Sequence, residues 1–289
     1  MRLFLFGAGY SGKAIARAFA GGARWIVGTT RSEDNFPDLE AAHVEPYVFA
    51  GSADDVGLLP LEYMTHVAVT IPPDEDGCPV LRTAGKLLEE HMPALSWVGY
   101  LSTVGVYGDH GGAWIDETAQ CRPSAARSHR RLKAEEQWRA FGARTGIPVS
   151  IMRLPGIYGP GRNALATVAE GKARRLVKPG QVFNRVHVDD IGRAALFLAR
   201  NRAGGIFNVT DDMPAPPQDV ITHACGLMGV TPPPEQDFET AQLTPMARSF
   251  YGENKRVSNA KLKGMGFELA YPDYRAALDA MWADGSWRG

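Results

Sequence analysis

The chain has 289 residues, of which 45% are hydrophobic and 22% are charged, and its formal net charge is −1. These values are typical of a soluble globular protein, and the length suits one large α/β domain or a core domain with a smaller appendage. A near-zero net charge gives no overall field that attracts nucleic acid or an anionic membrane, so we expect neither partner. No apolar run approaches the roughly 18 residues that a membrane span needs. The three cysteines form no C-x-x-C pair, which predicts reduced thiols, no metal site and a cytoplasmic protein.

The first twenty residues carry the strongest motif of the chain. Leu3 to Phe6 form a short apolar run, which predicts a strand buried on both faces of a parallel sheet, and Lys13 to Ala20 predict a helix. Between them lies G-x-G-x-x-G, whose glycines permit a tight turn, a close approach of the backbone to a pyrophosphate and close packing of the helix. A plain structural turn is the alternative. The dinucleotide-binding residues predicted here are Gly7, Gly9, Tyr10, Ser11 and Gly12.

The end of the second predicted strand, Arg24 to Gly28, distinguishes NAD from NADP. An NAD site usually places an acid here, whose carboxylate accepts hydrogen bonds from the ribose 2′-hydroxyl. This chain has Thr29-Thr30-Arg31-Ser32 and no acid before Glu33. Because arginine binds phosphate with paired hydrogen bonds, we expect NADP(H) in preference to NAD(H), with a solvated turn as the alternative. The residues predicted to bind the 2′-phosphate are Thr30, Arg31 and Ser32.

Strands and helices alternate through the next hundred residues. Strands are predicted at Tyr47 to Ala50, Val67 to Ile71 and Ser96 to Ser102, with a helix at about Leu81 to His91. This alternation predicts an α/β fold with a doubly wound parallel sheet. In such a sheet the fourth strand ends beside the cofactor crevice. Thr70, Ile71 and Pro72 are therefore predicted to bind the cofactor.

Five later segments resemble a known family in their order and spacing. They are Leu101 to Gly108, with S-T-x-x-V-Y-G, then Arg153 to Gly161, Val186 to Asp190, Gly205 to Val209 and Lys255 to Leu262. Together they resemble the extended short-chain dehydrogenase/reductase superfamily, the NAD(P)-dependent epimerases and dehydratases, over nearly the whole chain. The resemblance implies a Rossmann fold with a smaller C-terminal lobe that caps the substrate.

The resemblance also implies a division of the chain and a class of substrate. It implies a dinucleotide-binding domain at 1–155, to which 182–209 return, and a substrate-capping lobe at 210–289 with 156–181. It places Pro155, Gly156 and Ile157 at the cofactor. Family members often hold nucleotide diphosphates with arginines, so an anionic small-molecule substrate is expected, and dimerisation of relatives through helices near 81–91 and 127–141 leaves a homodimer open. The lobe cations that suit an anion are Arg162, Arg174, Arg175, Arg185, Lys255 and Arg256.

The catalytic set of the superfamily is only partly present. It consists of a Ser or Thr, a Tyr, and a Lys four residues after the Tyr. Thr103 matches the hydroxyl, whereas counting forward from Pro123 and back from Glu135 both give Arg127 at the Tyr position, with Arg131 at the Lys position. An arginine keeps its proton far above neutral pH, so it cannot replace the tyrosine as a proton donor and acceptor.

The two arginines still suit binding roles. On a helix Arg127 and Arg131 lie on one face, one turn apart. If that face abuts the cofactor, as the resemblance implies, Arg131 is predicted to hold the nicotinamide ribose, and Arg127 a carboxylate or phosphate of the substrate. A solvated basic helix face is the alternative. Residues that remain open as a replacement acid are His129, Tyr107 and Tyr158.

Two functions are therefore open. The first is an NADP(H)-dependent oxidoreductase or epimerase that acts on an anionic sugar-nucleotide or carbonyl substrate, with Thr103 and Arg127 orienting and polarising the substrate oxygen. The second is an NADP(H)-binding sensor or regulatory protein that has lost catalysis. Two further patterns have structural interpretations: Tyr251-x-x-x-Lys255 as a chance match to the catalytic pair, and Asp189 or Asp190 as the N-cap of a helix.

Overall fold

The computed structural model describes residues 1–289, apart from the side chains of residues 246 and 247. The strands are β1 (Arg2–Phe6), β2 (Trp25–Thr30), β3 (Glu45–Val48), β4 (His66–Val69), β5 (Trp97–Thr103), β6 (Trp114–Ile115), β7 (Val149–Leu154), β8 (Gly156–Tyr158), β9 (Arg175–Val177), β10 (Arg185–His187), β11 (Gly205–Asn208), β12 (Glu235–Asp237) and β13 (Arg256–Val257). The helices are α1 (Tyr10–Ala20), α2 (Phe36–Ala41), α3 (Ala53–Val56), α4 (Pro79–Glu90), α5 (Ala126–Thr145), α6 (Ala164–Ala169), α7 (Val188–Arg200), α8 (Pro217–Met228), α9 (Pro245–Phe250), α10 (Ala260–Gly264) and α11 (Tyr274–Asp284).

Seven strands form one sheet, in the order β11-β7-β5-β4-β1-β2-β3. Strand β1 pairs in parallel with β2 on one side and with β4 on the other, and β2–β3 and β4–β5 are also parallel pairs. The chain thus proceeds outward from β1 to β3 and then returns to the other side of β1. This confirms the predicted doubly wound α/β fold. Its topological switch point lies between β1 and β4, where open parallel sheets bind their ligands.

The central strands are apolar because both faces of the sheet are covered. All four residues from Leu3 to Phe6 are fully buried, and so are Val67, Ala68 and Val69. The cluster that buries Phe4 and Phe6 also contains Trp138 and Phe141 of α5. Each such side chain contributes about 1.5–3 kcal/mol when it leaves water. The prediction of a first strand buried on both faces is confirmed.

Several boundaries differ from the expected ones. Strand β2 runs to Thr30 instead of Gly28, and β4 ends at Val69, so Thr70 and Ile71 follow the strand instead of ending it. Strand β3 begins at Glu45 and includes Pro46, which an edge strand tolerates because one side of it needs no donor.

The chain divides into two compact units. Unit 1 comprises Met1–Thr103, Ala126–Arg153 and Ile191–Phe207, and unit 2 comprises Val104–Ala125, Leu154–Asp190 and Asn208–Gly289. The sequence placed Val104–Ala125 in the dinucleotide-binding domain. In the structure this segment lies in unit 2, because its strand β6 pairs in parallel with β13. Residues 182–190 also lie in unit 2.

Unit 2 has a core of its own, in which α6, α8 and α11 bury Leu165, Tyr274, Leu278 and Met281.

The interpretation of Asp190 as a helix N-cap is wrong. Helix α7 already begins at Val188, and the Asp190 carboxylate accepts the backbone N–H groups of Ala270 at 2.7 Å and Tyr271 at 3.0 Å. In the part of the chain that the structure describes, no helix has the length and apolar character needed to cross a bilayer.

Candidate functional site

The turn after β1 is fixed by two of its glycines. Gly7 has a φ of +92°, a conformation that side chains disfavour, and a Cβ there would lie 2.7 Å from Thr70 Oγ1. A Cβ on Gly12 would lie 2.5 Å from the Gly7 carbonyl oxygen. Glycine at both positions is therefore required by the turn itself and by the close packing of α1 against it.

Gly9 differs from these two glycines. Its φ is −76°, which any residue adopts, and no described heavy atom would lie within 4 Å of a Cβ at this position. Neither packing nor backbone conformation therefore requires a glycine here. Gly9 precedes α1, which has no acidic residue in its first turn to complement its dipole. The bare backbone at Gly9 and the helix amides form a surface that a phosphate can approach closely.

Two threonines hold the Gly7 peptide from opposite sides. The Gly7 N–H donates to Thr29 Oγ1 at 2.9 Å, and Thr70 Oγ1 donates to the Gly7 carbonyl at 2.5 Å. Thr70 lies among the residues predicted to bind the cofactor, whereas sequence reasoning missed Thr29. One feature of the sequence indicates this contact: Thr29 carries a hydroxyl near the buried end of a strand that is otherwise apolar.

The end of β2 presents one exposed cation among several carboxylates. Arg31 is exposed, and the hydroxyl of Ser32 donates to Asp34 Oδ2 at 2.7 Å. Thr30 Oγ1 accepts a hydrogen bond of 3.1 Å from the Asn35 amide. The two hydroxyls predicted to bind a 2′-phosphate are thus already engaged within this loop. Ser32 must give up Asp34 before its O–H group can donate to a phosphate, whereas Thr30 only accepts in its bond with Asn35, which does not use its O–H group.

The end of β5 carries Thr103, which is half-buried, and α5 carries the two arginines. Arg131 Nη1 donates to the Leu101 carbonyl at 2.5 Å, and its guanidinium carbon lies 5.9 Å from the centre of the Tyr100 ring. Arg127, one turn earlier on the helix, is exposed. The structure therefore brings Arg131 against the same strand as Thr103, and the role of Arg127 toward a substrate stays a prediction.

A buried network lies beneath this end of β5. Ser102 Oγ donates to Glu135 Oε1 at 2.5 Å, and Arg153 donates to both oxygens of the same carboxylate. All three residues are at least 95% buried. The network links β5, α5 and β7 through Ser102, the residue before Thr103. Sequence reasoning used Glu135 only as a landmark for counting and missed its partners.

The residues left open as a replacement acid have other contacts. Tyr107 is fully buried, and its hydroxyl donates to Asn208 Oδ1 at 2.8 Å. Burial raises the pKa of the Tyr158 hydroxyl well above its ordinary value, and the Tyr158 ring packs edge-on against His187. His129 is exposed. None of these arrangements presents a poised proton donor.

The Tyr251-x-x-x-Lys255 pattern has structural contacts at both ends. Tyr251 stacks on Phe238 with ring centres 4.7 Å apart. Lys255 Nζ lies 2.7 Å from Glu253 and donates to the Gly108 carbonyl at 2.6 Å. Both contacts agree with the interpretation of the pattern as a chance match.

Pro155, Gly156 and Ile157 lie in unit 2, where β8 pairs in parallel with β10. The cations of this unit that sequence reasoning singled out have mostly neutral partners. Arg174 donates to the Gln236 side chain and the Gln242 carbonyl, and Arg185 donates to the carbonyls of Phe183 and Ala215. By contrast Arg175 pairs with Glu235. The hydrogen bonds of Arg174 and Arg185 named here therefore go to neutral oxygens, and Arg185 also attracts the carboxyl group of Asp211.

Comparison with known proteins identifies the family. The model of the NAD dependent epimerase/dehydratase family matches residues 90–210. A solved structure of a functionally unknown conserved protein from Silicibacter pomeroyi DSS is 43% identical, with 99% of each chain covered and a TM-score of 0.91. Protein YeeZ of Escherichia coli K12 is 25% identical over 284 residues, which are 94% of this chain and 97% of YeeZ.

A UDP-glucose 4-epimerase from Thermus thermophilus, solved in complex with NAD, shares the fold. It is 20% identical with a TM-score of 0.72, and the match covers 96% of this chain and 98% of the epimerase. The family match, the ordered motifs and the doubly wound sheet agree with one another. The chain therefore belongs to the extended short-chain dehydrogenase/reductase superfamily, in its NAD-dependent epimerase/dehydratase family.

Proposed function

We propose that the protein binds a nicotinamide dinucleotide, NADP(H) in preference to NAD(H), and acts as an oxidoreductase or epimerase on an anionic carbonyl or sugar-nucleotide substrate. The observation that carries the proposal is Gly9. This glycine serves neither packing nor backbone conformation, and it lies at the switch point of the sheet before an uncapped helix. A pyrophosphate that approaches the backbone explains its presence. The related Thermus epimerase was solved with NAD.

The residues present fit such a dinucleotide. The turn from Gly7 to Gly12, with Tyr10 and Ser11, holds the pyrophosphate, and residues 70–72 of the same unit also bind the cofactor. Arg31 and the Thr30 hydroxyl bind the 2′-phosphate, and the Ser32 hydroxyl joins them once it releases Asp34. Arg131 holds the nicotinamide ribose, because an arginine has five N–H donors and the Leu101 carbonyl uses only part of them. The bound nicotinamide supplies hydride transfer at its C4 atom.

The substrate end of the site uses Thr103 and Arg127. The Thr103 hydroxyl orients the substrate oxygen, and Arg127 binds a carboxylate or phosphate. Water or a residue other than tyrosine carries the proton.

A second function is favoured by one observation, the arginines at both positions where the family has Tyr and Lys. Hydride transfer without a positioned acid is slower by about 10²–10⁴-fold. Tyr107 and Tyr158, which could compensate, are engaged in packing. The alternative is an NADP(H)-binding sensor or regulatory protein whose output is a change in conformation or partner.

Coenzyme titration tests the first part of the proposal. NADPH and NADH are titrated by fluorescence against the wild-type protein, Arg31→Ala and Arg24→Ala. Arg24 is the matched control, an exposed arginine at the opposite end of β2. We expect Arg31→Ala to weaken NADPH about tenfold and leave NADH unchanged, and Arg24→Ala to change neither. Tighter NADH than NADPH binding by the wild type contradicts the assignment of Arg31.

A turnover screen separates the enzyme from the sensor. Small carbonyls and sugar nucleotides are tested with the wild type, with the double variant Arg127→Tyr/Arg131→Lys and with Arg130→Tyr as control. Arg130 lies on the same helix and pairs with exposed Glu75. If the wild type turns over a substrate and Arg127→Ala lowers that turnover, the result supports the enzyme. Tight coenzyme binding without turnover, restored only by the double variant, supports the sensor.

We also propose a homodimer through α4 and α5. Between these helices lies a groove with an apolar floor, which includes Leu81, Gly85 and Phe141, and a charged rim, which includes Arg82 and Glu89. Sedimentation analysis of the wild type and of Ala140→Arg, which places a charge in the groove, tests it. A monomeric wild type contradicts this part of the proposal.

A further inference from the structure

We infer that Thr29 and Thr70 are positioning residues for the dinucleotide. They fix the peptide of Gly7 and, through it, the amino end of α1 that faces the pyrophosphate. The inference rests on the proposed function, because it concerns how this chain prepares the coenzyme site. The sequence motifs assign no role to Thr29 and predict direct cofactor binding by Thr70. The role inferred here for both is indirect, because it acts through the position of the turn.

Thr29 holds the turn from the side of β2. Its side chain is 1% exposed, and Oγ1 accepts the Gly7 N–H at 2.9 Å while donating to the Leu5 carbonyl at 3.4 Å. Its own carbonyl accepts the N–H of Ala8 at 2.8 Å. One residue thus binds both backbone N–H groups that immediately follow β1.

Thr70 holds the turn from the side of β4. Its Oγ1 donates to the Gly7 carbonyl at 2.5 Å, and its backbone N–H donates to the Phe6 carbonyl at 2.9 Å. The two peptide groups that flank the Gly7 Cα are therefore bound by side chains from both neighbouring strands, the Gly7 N–H by Thr29 and the Gly7 carbonyl by Thr70. Since Gly7 has no side chain, these hydroxyls and the bond from Ala8 N–H to the Thr29 carbonyl are the contacts described here that restrict rotation at its positive φ.

The Gly7 carbonyl is also the contact point of helix α1. A Cβ on Gly12 would lie 2.5 Å from this oxygen, so the helix packs directly against it. Lys13 N–H donates to the Gly9 carbonyl at 2.8 Å, which begins the helical bonding. A rotation of the Gly7 peptide therefore moves the first turn of α1, whose amides bind the pyrophosphate. The Thr70 hydroxyl opposes that rotation directly, and the Thr29 hydroxyl fixes the peptide group that precedes it.

The opposite end of β1 offers a matched control. Thr65 Oγ1 accepts the Arg2 N–H at 2.9 Å and donates to the Arg2 carbonyl at 3.1 Å. A threonine hydroxyl thus binds both the N–H and the carbonyl of one residue of β1. It lies about 17 Å from Gly7 along the strand, at roughly 3.3 Å per residue. Loss of the Thr65 hydroxyl affects the strand without affecting the turn.

The test compares Thr29→Val, Thr70→Val and Thr65→Val, together with Thr29→Ser and Thr70→Ser. Valine keeps the branched shape and removes the hydroxyl, whereas serine keeps the hydroxyl. The dissociation constants of NADPH and NADH are measured by fluorescence titration, and Tm is measured for every variant. We expect Thr29→Val and Thr70→Val each to weaken both coenzymes by about tenfold and by the same factor. We expect the serine variants to stay within about threefold of the wild type, and Thr65→Val to lower Tm without changing either constant.

The outcomes are distinguishable. If Thr29→Val or Thr70→Val lowers Tm but binds both coenzymes like the wild type, the positioning role is overturned for that residue and the proposed function stands. A Thr29→Val effect confined to NADPH also overturns the role, because it locates the effect at the 2′-phosphate instead of the pyrophosphate. If the wild type binds neither coenzyme, the proposed function fails and the inference fails with it.

Discussion

The two units bury a carboxyl group in opposite ways. In unit 1, Glu135 is 1% exposed, and its oxygens accept hydrogen bonds from Arg153 and Ser102. In unit 2, Asp211 is 2% exposed. Its Oδ1 accepts the Met213 N–H, while Oδ2 accepts no hydrogen bond from any described residue.

Burial without a paired cation therefore determines the pKa of Asp211. Arg185 contributes some attraction, but its Nη1 is bound to the carbonyls of Phe183 and Ala215, and Asp273 and Asp212 repel a charge on Asp211. Burial raises the pKa of Asp211 to about 8. Equal burial thus does not imply equal charge. The partners that surround a carboxyl decide whether it is an ion-pair member or a neutral acid.

The largest expected effect is a loss of stability in unit 2 as the pH rises from about 4 to about 8. An unfolded Asp loses its proton near pH 3.8, whereas the pKa of folded Asp211 is about 8. Between these values the folded state holds a proton that the unfolded state lacks, so the free energy of unfolding falls as pH rises, by roughly 6 kcal/mol in all. Asp211→Asn should remove this slope and be more stable than the wild type at pH 8, as measured by urea unfolding. An exposed aspartate of the same unit that does not act on Asp211 is the control, since Asp219→Asn should keep the slope. A slope in Asp211→Asn identical to that of the wild type contradicts the prediction.

The next effect concerns the buried ion pair of unit 1. Glu135→Ala leaves the Arg153 guanidinium buried without its carboxylate, so the free energy of unfolding should fall by about 3–5 kcal/mol. Denaturant unfolding measures the change, with the exposed neighbour Glu136→Ala as control. A double variant, Glu135→Leu/Arg153→Met, should recover much of the loss because no charge is then buried. A loss below about 1 kcal/mol in Glu135→Ala would show that the network contributes little.

The third expected effect is a loss of stability in unit 1 as the pH drops, whereas unit 2 loses stability as the pH rises. His66 is 7% exposed, and burial, together with the N-terminus and Arg202, lowers its pKa to about 4. An unfolded histidine gains its proton near pH 6.5, so the free energy of unfolding should fall by about 3 kcal/mol as pH drops from 6.5 to 4. His66→Gln should flatten this acid limb. The exposed His91→Gln should not, and acid lability unchanged by His66→Gln excludes this histidine as its source.

The smallest effect is expected for an exposed pair. Arg82 forms two hydrogen bonds with Asp74, of 3.1 and 2.6 Å, yet both side chains are nearly half exposed. Arg82→Ala should change the free energy of unfolding by less than about 1 kcal/mol, and 0.5 M salt should reduce even that difference. A loss comparable to that of Glu135→Ala would contradict the view that burial distinguishes these pairs.

The sequence predicted features whose causes lie within a few residues. The apolar run of β1 and the glycine turn after it are local, and both are in the structure as expected. The Ser102–Glu135–Arg153 network joins residues that are 18 and 33 positions apart, and no spacing rule indicates such partners. Asp190 illustrates the same limit. Its position suggested a local cap, but its carboxylate binds backbone 80 residues later.

The features of the candidate site also fall into two groups, those that the sequence predicts and those that only the structure shows. The requirement for glycine at Gly7 and Gly12 follows from turn chemistry that the sequence displays. The hold of Thr29 on Gly7 depends on the pairing register of β1 and β2, which places Leu5 opposite Gly28 and which the sequence alone does not give. The arginines at 127 and 131 were located by counting, yet only the structure shows that Arg131 rests against β5.

The division of the chain into units also has a consequence for biosynthesis. Unit 1 contains no residue beyond Phe207, so it can fold while later residues are still being synthesised. Unit 2 contains Asn163, whose amide donates to the Trp287 carbonyl at 2.8 Å. Its earliest segments must therefore wait, through the translation of more than a hundred codons, for the residues that complete them. Slow translation should prolong the exposure of unit 2 to chaperones and proteases and leave unit 1 unaffected.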